Sequence, residues 1–252
     1  SFDFQLKHIF VEMNTHEKYM QRCLELAKNG LGRVSPNPLV GAVVVCQDKI
    51  IGEGFHAIYG GLHAEVNAVN SVIDKSLLKE ATLYVNLEPC CHHGKTPPCT
   101  SLILGSGIKK VVIGSKDPND LVSGKGIQLL REAGVEVVED VLKKECSFLN
   151  RRFFTFHQKK RPYIILKWAE SADGFMDIDR SNGEVGQFQI SGEESKRFVH
   201  QLRANEDAIL VGVNTVINDN PSLTVREVIG KNPIRIVIDK GLKVPKESKL
   251  LN

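Results

Sequence analysis

The chain has 252 residues, 42% of them hydrophobic and 25% charged, with a formal net charge of +3. This suits one large or two ordinary globular domains. The small net charge and the lack of an apolar run near the roughly 20 residues that span a bilayer argue against a nucleic-acid or membrane partner. Six cysteines without a disulfide-framework pattern read as reduced thiols, and a cytoplasmic location is expected.

The chain opens with Ser1, and residues 1 to 12 read as an extension or cloning remnant with no functional weight. Residues 16 to 29 have helical periodicity, with Tyr19, Cys23, Leu26 and Ala27 on one face. Thr15 is the expected cap and Gly30 the stop. Ser35-Pro36-Asn37-Pro38 is a turn-rich loop. Residues 40 to 46 read as a buried strand, which Gln47-Asp48-Lys49 turns into a second strand at 50 to 55. A helix is expected to open at His63, after Gly60-Gly61, and to carry Val66, Val69 and Val72. A strand over 82 to 87 then delivers Pro89-Cys90, and Pro98 starts another helix. A strand at 110 to 114, a helix near 126 to 133, an edge strand at 135 to 138 and a helix from about 141 to 157 complete an α/β layered domain over 13 to 158.

The basic run Gln158-Lys159-Lys160-Arg161-Pro162 marks the boundary to a second domain over 162 to 252. Its expected elements are a strand at 163 to 168, a helix at 192 to 204, a strand at 208 to 211, a loop from 212 to 226 and a strand at 234 to 238. It has no G-x-G-x-x-G fingerprint. Asn218-Asp219-Asn220-Pro221 suits a cofactor loop and ordinary turn chemistry equally. Homo-oligomerisation is expected to cover apolar surface.

The chemistry concentrates between His63 and Cys99. His63-Ala64-Glu65 is followed by Pro89-Cys90 and, after eight intervening residues, by Cys99. One imidazole and two thiolates suit Zn²⁺, and three protein ligands leave the fourth tetrahedral position for water. Glu65 is placed to move protons without ligating. This is the pattern of zinc deaminases. A structural zinc would need a fourth ligand, for which Cys91, His92 and His93 are at hand, but adjacent residues seldom reach one metal together. Lys95, between the cysteines, suits a substrate phosphate or a solvated loop equally. Asn37 and His56 are candidates for a heterocycle's edge, although His56 alone reads more readily as an ordinary buried histidine. Cys23, Cys46 and Cys146 fit inert core positions.

The long spacing Pro89-Cys90-Cys91-His92-His93-Gly94-Lys95-Thr96-Pro97-Pro98-Cys99, with Pro36-Asn37-Pro38 and His63-Ala64-Glu65-Val66, resembles the bifunctional deaminase/reductase family of riboflavin biosynthesis. Asp117-Pro118-Asn119, Gly124-Lys125-Gly126, Ser171-Ala172-Asp173-Gly174, Leu202-Arg203 and the segment from Gly212 to Arg226 extend the resemblance into both domains. It implies a three-layer cytidine-deaminase-like domain followed by a dihydrofolate-reductase-like α/β domain. The first would remove the 2-amino group of 2,5-diamino-6-(ribosylamino)-4-pyrimidinone 5′-phosphate. The second would use NADPH to reduce the ribosyl group to a ribityl chain.

By the same resemblance, His63, Cys90 and Cys99 bind zinc and Glu65 is the catalytic proton shuttle. Asn37, His56, His92 and Lys95 line the pocket of this phosphorylated pyrimidine. Ala169, Thr215, Asp219 and Lys240 fall at cofactor positions, and Arg203, Leu223 and Arg226 at substrate positions. Gln187 and Gln189 stand where the family has a serine and a tryptophan, in a loop that looks lengthened. The family's reductase continues beyond the position of Asn252, so the second domain is expected to be incomplete. The competing readings are a zinc deaminase of another nucleoside or of tRNA, and a zinc-stabilised binding module.

Overall fold

The structure, a computed structural model, describes residues 14–92, 97–119 and 122–252. The chain divides into two units between Tyr163 and Ile164. In the first, α1 (Thr15–Lys28) precedes the hairpin β1 (Gly41–Cys46) and β2 (Lys49–Phe55). Then α2 (Ala64–Ser71), β3 (Thr82–Leu87), α3 (Cys99–Ser106), β4 (Lys110–Ser115), α4 (Lys125–Glu132) and β5 (Glu136–Val138) alternate, and α5 (Lys143–Leu149) and α6 (Arg151–Lys159) follow.

The strands form one sheet in the order β2-β1-β3-β4-β5. β1 is antiparallel to both neighbours, whereas β3, β4 and β5 are parallel. Successive side chains on a strand point to opposite faces. Ala42, Val44, Leu83, Val85, Val111 and Ile113 accordingly pack beneath α2, α3 and α4, among Ala68, Ile103 and Ile127. Val43, Val45, Tyr84 and Val112 pack on the other face against Tyr19, Met20 and Cys23 of α1 and Cys146 of α5. The result is a three-layer α/β/α unit. Two successive right-handed crossovers in one direction put α3 and α4 on the same face. Gln47 and Asp48, both at positive φ, make the tight hairpin turn.

Two local expectations change. The cap of α1 is Asn14, not Thr15: Asn14 Oδ1 accepts the Glu17 N–H at 2.9 Å, and the Glu17 carboxylate accepts the Asn14 N–H at 3.1 Å. The single helix expected from 141 to 157 is two, broken at Asn150. The buried Asn150 amide grips the Leu39 backbone, accepting its N–H at 2.7 Å and donating to its carbonyl at 2.9 Å.

The second unit contains α7 (Glu193–Asn205), β6 (Ala208–Gly212), α8 (Val213–Asp219) and β7 (Ile234–Ile238), with β6 and β7 parallel. Val216, Leu223 and Leu250 form its small core with Ile209, Val211 and Val237. The run expected as a strand at 163 to 168 is not one. Among the described residues no strand pairs with it, and Ile164, Leu166 and Trp168 are exposed. Apolar composition without a ladder partner does not make a strand. The expected loop from 212 to 226 contains the helix α8, which ends at Asn220 in the left-handed region. Among the described residues, no helix is long and apolar enough to cross a membrane.

Candidate active site

Three segment ends meet beyond the C-terminal end of the central strand β3. His63 is the N-cap of α2, so Glu65 falls in the helix's first turn. α2 lies directly on β2: a Cβ at Gly54 would stand 2.3 Å from the Ala68 backbone nitrogen, so only glycine admits the helix this closely. Cys90 follows the C-terminal end of β3. Pro98 is the N-cap of α3, which puts Cys99 at the first helical position.

The His63, Cys90 and Cys99 ligand atoms all lie within 4.8 Å of one another. His63 Nδ1 is 3.3 Å from Cys99 Sγ and 3.5 Å from Cys90 Sγ. With Zn–N near ~2.0 Å and Zn–S near ~2.3 Å, a tetrahedral ion needs a nitrogen–sulfur edge of about 3.5 Å. The donor set therefore fits Zn²⁺ in type and spacing. The Cys90 thiol is pushed down by hydrogen bonding from Cys99, with a further contribution from His63. Glu65 is buried, and burial, followed by the charge of Cys90, raises its carboxyl to about 7.

The predicted deaminase pocket residues divide. Asn37 and His56 are together: Asn37 Nδ2 is 3.0 Å from His56 Nε2, and the His56 ring meets the His63 ring edge-on at 5.6 Å between centroids. His92 is exposed beyond Cys91, and Lys95 lies outside the described residues. Cys91 is not part of the three-ligand cluster.

Sequence reasoning missed the residues that hold these segments. Asn86 is fully buried; it accepts the Gly41 N–H at 2.8 Å and donates to the Leu39 carbonyl at 3.0 Å. Asn86 and Asn150 thus fix the backbone just after Asn37. Glu88 is buried too, and its carboxylate accepts several backbone N–H groups. The readable signal was a polar residue in, or ending, an otherwise apolar strand.

In the second unit, Arg203 and Arg226 meet at Thr224. Arg203 Nη1 donates to its carbonyl at 3.1 Å, and Arg226 Nη1 to its hydroxyl at 2.7 Å. The Arg226 N–H donates to Nδ1 of the buried His200 at 3.0 Å. Among the described residues, the buried Nε of Arg203 has no hydrogen-bond partner. Leu223 is buried in the small core at positive φ. Thr215 and Asp219 lie on α8, Ala169 on the irregular segment and Lys240 just past β7. Among the described residues, no side-chain hydrogen bond or ion pair joins any two of these four. Asp219 instead faces Arg180 at 3.4 Å.

Residues 13–115 match the model of the cytidine and deoxycytidylate deaminase zinc-binding region, and residues 162–252 match that of the RibD C-terminal domain. The chain is 52% identical over 233 residues to the riboflavin biosynthesis protein RibD of Actinobacillus pleuropneumoniae, covering 92% of this chain and 60% of that protein. A Thermotoga maritima diaminohydroxyphosphoribosylaminopyrimidine deaminase/5-amino-6-(5-phosphoribosylamino)uracil reductase superposes with a TM-score of 0.83 at 46% identity, over 94% of this chain and 66% of that one. Acinetobacter baumannii RibD superposes with a TM-score of 0.84 at 36% identity, over 94% and 67%. The chain spans less than two thirds of the length of the curated relatives it matches. A cytidine-deaminase-like domain thus precedes a dihydrofolate-reductase-like one. The chain belongs to the RibD family of riboflavin biosynthesis proteins.

Proposed function

We propose that the first domain, over 13 to 158, is a zinc-dependent deaminase of 2,5-diamino-6-(ribosylamino)-4-pyrimidinone 5′-phosphate, acting in riboflavin biosynthesis. The observation that carries this reading is the convergence of His63, Cys90 and Cys99 beside the buried Glu65. A bound Zn²⁺ would lower the pKa of a water in its open position, supplying a nucleophile near neutral pH. Glu65 takes a proton from the attacking water and passes it to a ring nitrogen, then takes the proton of the added hydroxyl and gives it to the departing amine. Water adds to the ring carbon, the carbon–nitrogen bond breaks, and ammonia leaves. Its raised carboxyl suits Glu65 to both directions of transfer. Asn37 and His56 orient the heterocycle, and His92 and Lys95 are further substrate residues.

The second domain, over 162 to 252, belongs to the following reduction, in which NADPH would supply hydride to the ribosyl group. Arg203, Leu223 and Arg226 are its substrate residues, and the two guanidinium groups suit the 5′-phosphate. Ala169, Thr215, Asp219 and Lys240 are its cofactor residues. Free thiols at all six cysteines fit a cytoplasmic protein. Exposed Phe198, Leu210, Ile234 and Ile238 fit a homo-oligomer. No nucleic acid is part of this reading.

The test is ammonia release from the diaminopyrimidinone ribosyl phosphate by zinc-replete protein, with and without NADPH. Ammonia in both conditions, with NADPH oxidised only after deamination, supports both assignments. Ammonia without NADPH oxidation withdraws the reductase role from this chain. No ammonia overturns the deaminase reading.

A further inference from the structure

We propose that Glu88 is a positioning residue for the ligand set, locking the Cys90 arm to the loop after β4 and to the first turn of α4. This rests on the zinc-deaminase reading above. Glu88 is 4% exposed and stands two residues before Cys90. Its Oε2 accepts the N–H groups of Asp117 at 3.2 Å and Gly124 at 2.9 Å. Its Oε1 accepts those of Gly126 at 3.0 Å and Ile127 at 3.3 Å. Gly126 and Ile127 are first-turn residues of α4, whose N–H groups have no partner within the helix. One acceptor-only side chain thus satisfies two helix-end donors and two loop donors.

A second contact locks the same arm independently. A Cβ at residue 126 would stand 2.2 Å from the Pro89 carbonyl oxygen, so α4 begins in backbone contact with the peptide leading to Cys90. On the opposite side, the Thr100 N–H donates to the Cys90 carbonyl at 3.2 Å, and the Cys99 N–H lies 3.4 Å from Cys90 Sγ. Cys90 is therefore held between the first turns of α3 and α4, and Glu88 supplies the α4 side. It acts through Cys90 and reaches neither metal nor substrate.

E88Q keeps the shape and removes the fit. Whichever oxygen becomes the NH₂ group, two backbone N–H groups lose their acceptor and face a donor. The experiment measures zinc release from folded, zinc-loaded protein to a chromophoric chelator, together with the visible spectrum of the cobalt-substituted protein. V45A is the control: Val45 pairs with Thr82, at the end of β3 away from Cys90, and its loss weakens only the core. The expected result is about 10- to 100-fold weaker zinc retention in E88Q, the scale for supports of metal ligands, with an altered cobalt spectrum. V45A keeps wild-type retention and spectrum. G126A, which pushes the same carbonyl from the helix side, is expected to behave like E88Q and provides the comparison if E88Q is insoluble. Wild-type retention and spectrum in E88Q, or in G126A where E88Q is insoluble, overturn the role of Glu88 while leaving the zinc reading intact. A wild-type protein that holds no zinc overturns both.

Discussion

Asn37 Nδ2 donates to His56 Nε2 at 3.0 Å, while His56 Nδ1 donates to the Leu62 carbonyl at 2.9 Å. A carbonyl only accepts, so Nδ1 carries the proton and Nε2 is the acceptor. Burial, with a further push from His63 and against the hydrogen bond to Leu62, lowers the pKa of His56. Removing the donor in N37A frees the His56 ring beside His63. Losing a partner to a buried polar group costs about 1–3 kcal/mol, so deaminase kcat/KM should fall about tenfold or more at unchanged zinc content. Steady-state kinetics beside metal analysis check this; wild-type kcat/KM in N37A would remove the pair from the substrate site.

E65Q preserves size and burial but cannot take a proton from water. Deamination should fall by about 10²- to 10⁴-fold, the range for a lost general acid–base group. Zinc stoichiometry should be unchanged, because Glu65 is not among the three clustered donor residues. Single-turnover ammonia release gives the rate and elemental analysis the metal. Full turnover by E65Q would sink the shuttle role.

His200 makes the second domain sensitive to acid. Its Nδ1 must be unprotonated to accept the Arg226 N–H. Burial, then Arg203 and Arg226, lower its pKa, with Lys196 adding to this and Glu227 opposing it. A histidine lowered on folding binds more protons when unfolded, so its stabilising contribution is full above the unfolded value of about 6.5 and is lost as pH falls below it. H200N retains an acceptor without the titration. Its urea midpoint should vary less than that of the wild type between pH 5 and pH 7.5, and equal slopes would refute the assignment.

Arg180 organises the loop before Gln187. Its guanidinium grips Asp177 at 2.6 and 2.8 Å, the Gly186 carbonyl at 2.9 Å and the Glu184 carbonyl at 3.1 Å, and it faces Asp219 on α8. R180A should speed cleavage after Glu184 by a glutamate-specific protease several-fold, with little change in the urea midpoint. R180K should resemble R180A, since an ammonium cannot reproduce the planar fork. A wild-type cleavage rate in R180A would show that other contacts hold the loop.

The cluster of His63, Cys90 and Cys99 and most elements were legible because their signals are local. His63-Ala64-Glu65 at a helix start, a buried strand over 82 to 87 leading to Pro89-Cys90 and a helix starting after Pro98 are each written within a few residues. The nearly unbroken apolar runs of β1, β3 and β4 belong to strands covered on both faces. Only the tertiary structure decided what pairs across the chain. Asn150 breaks a continuous helical pattern because its amide is committed to Leu39, 111 residues away. Glu88 acquires its role from Gly126 and Ile127, 38 and 39 residues later. The apolar run at 163 to 168 is not a strand, since a strand requires a neighbour as well as a composition. Backbone propensity and side-chain period act over single turns and pleats, whereas a buried polar group takes its meaning from the distant atom that satisfies it.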